Sequence, residues 1–109
     1  MSVIDDIATE RQRQIDGEGW ATEHDDAYSA WELARAAMCY AGNAGFNDDI
    51  RDKYQSHPPL GWPWRSAWWK PTSRRRDLVK AAALIVAEIE RLDRAAASSP
   101  NRMEKPDGE

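Results

Sequence analysis

The chain has 109 residues, 41% of them hydrophobic, and a formal net charge of −4. That is enough for one domain with a modest core, and an acidic balance argues against non-specific duplex DNA binding, which needs a broad basic footprint. A single cysteine, Cys39, excludes an internal disulfide, and with only His24 and His57 beside it the usual zinc ligand sets are missing. The charge is unevenly placed. Residues 1–52 hold twelve acids and four bases, and residues 53–80 hold one acid and seven bases. Acids at Asp5, Asp6 and Glu10 interrupt the start, so no secretory leader is expected. The longest apolar run, Ala81 to Ala87, is far too short for a membrane span. The expected location is the cytoplasm, with no membrane partner.

Taken in chain order, the pattern predicts an all-α fold: a compact three-helix domain over 1–96 with a long Trp/Pro-rich loop between the second and third helices. The first helix opens at Ser2, where Asp5 completes an S-x-x-D capping box, and runs to about Ile15, with Ile4, Ile7, Ala8 and Ile15 on its inner face. The second starts between Asp25 and Ser29 and continues to Ala41, with Gly42 as its C′ residue. Ala27, Ala30, Trp31, Ala34, Ala37, Met38 and Ala41 are its expected buried face, and so many alanines predict a closely packed neighbour. A short helical turn is expected over Asn47–Tyr54.

The stretch from Asn43 to Pro71 holds four of the six prolines and predicts an irregular connection held by its own side chains. The third helix runs from Arg74 to about Ala96, opened by Pro71 and the Thr72/Ser73 pair. Leu78, Ala82, Ile85, Ile89 and Leu92 recur at spacings of four and three, and Val79, Ala83 and Val86 widen the stripe. That spacing describes either a core helix or a dimer-forming one. Residues 97–109 read as a polar disordered tail.

The densest chemistry lies between Trp62 and Arg76, WPWRSAWWKPTSRRR, with four of the six tryptophans, five bases and no acid. Indole planes beside guanidinium groups stack nucleobases and bind phosphate, and the same pair of residue types dominates protein-binding hot spots. The candidate binding residues are Trp64, Arg65, Trp68, Trp69, Lys70, Arg74, Arg75 and Arg76. The bland alternative is that the tryptophans pin the loop while the arginines pair with Asp25, Asp26 or Asp77. Trp68 and Trp69 are adjacent, so one of them is expected near the surface.

A second cluster, Glu23-His24-Asp25-Asp26 with Glu32, has the oxygen ligands that Mg²⁺ takes, and His24 is a candidate general base. Cys39, among Ala37, Met38 and Tyr40, reads as a buried small hydrophobe.

One resemblance covers residues 1–96. Glu10-Arg-Gln-Arg-Gln-Ile15, Gly19-Trp20, Glu23-His-Asp-Asp26, Trp62-Pro-Trp64, Trp68-Trp-Lys-Pro71, Arg75-Arg-Asp-Leu-Val-Lys-Ala81 and Ala87-Glu-Ile-Glu-Arg-Leu-Asp-Arg94 follow one another as in a family of small uncharacterised proteins encoded by tailed bacteriophages and prophages. The resemblance implies a phage origin and, from the company such proteins keep, host takeover or evasion of bacterial defence. The expected function is a non-enzymatic accessory protein that needs no cofactor and binds a small anionic nucleotide or a host protein, with homo-oligomer formation a further expectation. A different class is represented by the MazG-type pyrophosphohydrolases, helical enzymes that hold Mg²⁺ with E-x-x-E and E-x-x-D pairs. Here Glu32, Glu90 and Asp93 would be the ligands, but Arg35 stands where the second carboxylate of the first pair belongs. A third alternative is a structural or regulatory phage protein with the Trp cluster in a homodimer interface.

Overall fold

The computed structural model describes residues 2–17 and 31–97, and its architecture is all-α. Helix α1 spans Val3–Gly17, α2 Glu32–Ala44, α3 Asp48–Lys53 and α4 Arg74–Ala97, with one 3-10 turn at Ser66–Trp68. No strand occurs among the described residues, and no helix there is long and apolar enough to cross a membrane. The three long helices and the short turn after α2 match the elements that the sequence predicts. The expected start of the second helix and the tail from residue 98 lie outside the described residues.

Capping chemistry sets the helix starts. The Ser2 amide donates to Asp5 Oδ2 and the Asp5 amide to Ser2 Oγ, both directions of the predicted capping box. Asn47 Oδ1 accepts from the Ile50 amide and opens α3. Ser73 Oγ accepts from the Arg76 amide and opens α4. The end of α2 departs from expectation. The helix passes Gly42 and stops at Gly45, whose amide donates back to the Gly42 carbonyl. The extra turn holds because Asn43 is engaged from both sides: its carbonyl accepts from Arg51 and its side-chain amide donates to Asp77.

Helix α4 packs against α2 and α1. The core between α2 and α4 is built from Leu33, Ala36, Ala37, Cys39, Tyr40, Ala81, Leu84 and Ala87, with Trp69 inserted from the loop. The many alanines bring the helices close, and aromatic rings supply the missing volume. Burial of Trp69, on the order of 200 Å², contributes about 5 kcal/mol as an upper estimate at about 25 cal/mol per Å².

The inward faces differ from those expected. On α2 the buried positions are Leu33, Ala36, Ala37, Cys39, Tyr40, Asn43 and Ala44. Trp31, Ala34, Met38 and Ala41 are exposed, so Ala37 alone is shared with the described part of the predicted face. On α1, Ile4 and Ala8 are exposed and Ile7 and Ile15 half-buried, whereas Glu10, Arg11 and Gln14 are buried. On α4, Leu78, Ile85, Ile89 and Leu92 stand about half-exposed and Ala82 half-buried. The buried residues there are Asp77, Val79, Lys80, Ala81, Ala83, Leu84, Ala87 and Glu88. The reason is common to α1 and α4, whereas the face of α2 is rotated and stays mostly apolar. Polar groups that find partners inside displace apolar ones to the outside, and a count of apolar side chains cannot register those pairings.

Candidate interaction surface at the tryptophan loop

The loop between α3 and α4 is anchored at both ends by a polar network. Asp77, in the first turn of α4, is fully buried. Its carboxylate accepts from the Thr72 amide at 2.8 Å, Asn43 Nδ2 at 3.2 Å and Arg51 Nη1 at 3.3 Å. The same guanidinium donates to the carbonyls of Asn43 and Thr72. One side chain from each of α2, α3 and α4 thereby fixes where the loop leaves and returns.

Between those anchors the aromatic residues lock together. Trp69 is buried, stacks on Tyr40 with ring centroids 4.7 Å apart, and donates from Nε1 to the Tyr54 carbonyl at 2.7 Å. Trp62 meets Tyr40, Trp64 and Trp69 edge-on and donates to the Arg65 carbonyl. The Tyr40 hydroxyl accepts from the Lys70 amide. Lys80 reaches over the Tyr40 ring to the Lys70 carbonyl. Burial lowers the pKa of that lysine, against the opposing pull of Asp77 and Glu10. At the tip, the Trp62 amide donates to the Pro59 carbonyl across Leu60 and Gly61, and Gly61 has φ +100°. This is the turn that requires a residue without a side chain at its third position, and it leaves Leu60 fully exposed.

The eight predicted site residues therefore divide into two groups. Trp69 belongs to the core, and Trp64 packs half-buried against it. Each arginine of the triplet faces a carboxylate: Arg74 pairs with Asp48 at 2.8 Å, Arg75 with Asp6 at 2.6 Å and Arg76 with buried Glu10. The acids differ from the predicted Asp25, Asp26 and Asp77, the first two of which lie outside the described residues. Asp77 serves Arg51 instead. Arg65, Trp68 and Lys70 remain outward. Arg65 and Lys70 are exposed and make no ion pair among the described residues, and the Lys70 ammonium lies 5.8 Å from the centre of the half-buried Trp68 ring. Of the adjacent pair, Trp69 is the inner ring and Trp68 the outer one.

Glu10 was not singled out by sequence reasoning, yet it organises the α1–α4 contact. Arg13, Gln14 and Arg76 all donate to it. Burial pushes its pKa up, but the hydrogen bond and charge of Arg13, the charge of Arg76 and the Gln14 amide outweigh that and hold it below the ordinary carboxylate value. Arg51 and Asn43 were missed in the same way, and Asp77 was read only as a partner of the triplet, since 34 positions separate Asn43 from Asp77 and no local motif links them.

Of the three carboxylates of the alternative magnesium site, one is engaged by an arginine. Glu90 accepts from Arg11 at 3.2 Å, Glu32 is half-buried on α2, and Asp93 is exposed on α4. Among the described residues no group of three or more His, Cys, Asp or Glu side chains is placed to hold a metal ion. Glu23, His24, Asp25 and Asp26 lie outside them. Cys39 is buried, and burial raises its thiol pKa. Comparison with protein-family models, curated proteins and solved structures finds no match to this chain.

Proposed function

We propose that the chain is a non-enzymatic binding protein, phage-encoded as its motif string suggests, that docks on an acidic and partly apolar protein surface of the bacterial host. The working residues are Arg65, Trp68 and Lys70, with Leu60 at the tip of the same loop. The observation that carries this reading is the division of the loop's cations. Arg74, Arg75 and Arg76 each face an acid of their own chain, while Arg65 and Lys70 are exposed with no ion pair among the described residues and the Lys70 ammonium lies beside the half-buried Trp68 ring. A nucleotide phosphate is best gripped by several converging cations, and the triplet that would supply them is neutralised. Two exposed cations on the loop that carries this indole, a loop fastened by its own hydrogen bonds and ring contacts, suit a protein hot spot, where pre-ordering reduces the entropy lost on docking.

The test is native mass spectrometry of the protein purified from a bacterial host, followed by denaturing release of whatever is bound, for the wild type and for Trp68→Ala and Lys70→Glu. The expected result is a stoichiometric host protein whose affinity falls roughly 10- to 100-fold in each variant. Release of an intact nucleotide would replace the protein partner with a small anion. Capture that is indifferent to both substitutions would sink the assignment of this surface.

A further inference from the structure

We infer that the outer face of α4 is a self-association surface, on which two copies of this chain pair as antiparallel helices. The inference rests on α4 alone and is independent of the loop surface. Leu78, Ile85, Ile89 and Leu92 are each 48–52% exposed, and half-buried Ala82 and Ala96 continue the row. Their spacing of four, three, four, three and four is that of a two-helix seam. None of them belongs to the buried set through which α4 meets α1 and α2. A helix with one stripe inside and a second, more regular one outside is incomplete as a monomer.

Extent and charge point to a second copy as the occupant. From Leu78 to Leu92 the stripe runs about 21 Å at about 1.5 Å per residue. Half of a Leu or Ile side chain is roughly 90 Å², so four of them with the alanines and the rim come to on the order of 500 Å² per copy, or about the 1,000 Å² total that a specific interface needs. Arg75 and Asp93 are eighteen positions apart, five whole turns, and so border the same edge of the stripe at its two ends. A two-fold axis across the helices sets the Arg75 end of one copy, where Arg75 also pairs with Asp6 of its own chain, against the Asp93 end of the other. The parallel arrangement would set each end of the stripe beside its own counterpart and forgo that opposite-charge juxtaposition. The antiparallel one also opposes the helix dipoles favourably.

The experiment is sedimentation equilibrium on the full chain, with no partner present, in the micromolar range. The wild type is expected at twice the 12.4 kDa chain mass. Ile85→Lys places a charge in the seam of each copy, and should weaken association by roughly 100-fold or more while leaving the helical circular dichroism unchanged, because the position is half-exposed in the single chain. Leu60→Lys, at the loop tip, should leave the dimer intact. For orientation, in a Cys39→Ala background, a mixture of Arg75→Cys and Asp93→Cys chains should cross-link on oxidation, whereas Leu92→Cys alone should not. A monomeric wild type overturns the inference, and so does a dimer that Ile85→Lys leaves unaffected. Cross-linking of Leu92→Cys to itself overturns the antiparallel arrangement. The loop assignment stands or falls separately, since none of these measurements involves a host partner.

Discussion

Replacing Asp77 by Ala isolates the network that closes the tryptophan loop. The substitution removes a fully buried carboxylate with three donors: the Thr72 amide, Asn43 Nδ2 and Arg51 Nη1. Arg51 is then left as a buried guanidinium whose remaining acceptors are the carbonyls of Asn43 and Thr72. Breaking one side of a buried ion pair costs about 3–5 kcal/mol, and the orphaned amide belongs within that figure. Two smaller effects offset one another. Alanine gains about 0.5 kcal/mol in helix propensity, and loss of an acid near the start of α4 costs a similar amount through the helix dipole. The expected destabilisation of 3–5 kcal/mol is a large part of the 5–15 kcal/mol typical of a domain.

Urea unfolding followed by tryptophan fluorescence measures it, because Trp69 leaves its stack on Tyr40 when the loop detaches. At a slope of roughly 1.5 kcal/mol per molar urea, the midpoint should fall by about 2–3 M. Arg51→Met should be nearly as costly, and the double variant much less costly than the sum, since removing both charges leaves no unpaired ion. A loss below about 1 kcal/mol for Asp77→Ala, or strict additivity with Arg51→Met, would refute the argument that this ion pair holds the loop.

Two further outcomes follow from the same structure. Trp69→Phe keeps an aromatic ring against Tyr40 but loses the hydrogen bond to the Tyr54 carbonyl, and should cost about 1 kcal/mol for that bond plus some packing; Trp69→Ala should cost about 3–5 kcal/mol in the same unfolding assay. Glu10 has a folded pKa below its unfolded value, so its stabilisation is fully present above the ordinary carboxylate pKa and is lost as pH falls through the lowered folded value. Unfolding measured from neutral to acidic pH should therefore show a loss of stability that is smaller in Glu10→Gln, and an unchanged acid profile in that variant would count against Glu10 as the organiser of the α1–α4 contact.

The existence of the helices and the starts of α1, α3 and α4 were legible in the chain itself, because capping is local. Ser2 with Asp5, Asn47 with Ile50 and Ser73 with Arg76 each act within three residues. The pinning of the Trp/Pro segment was legible too, since four prolines and four tryptophans between Asn43 and Pro71 leave few ways to hold an irregular connection. Which way each helix faces was decided only in three dimensions. Apolar periodicity left Leu78, Ile85, Ile89 and Leu92 as either a core face or a dimer face, and they stand about half-exposed, while Asp77, Lys80 and Glu88 occupy the interior because Arg51, the Lys70 carbonyl and Arg91 satisfy them there. The same holds for the arginine triplet, which read alone as either an anion site or a set of ion pairs and becomes the latter once α1 and α3 bring Asp6, Glu10 and Asp48 alongside. A buried charge is stable or prohibitive according to its partner, and partners dozens of residues away follow from the fold rather than from any local pattern.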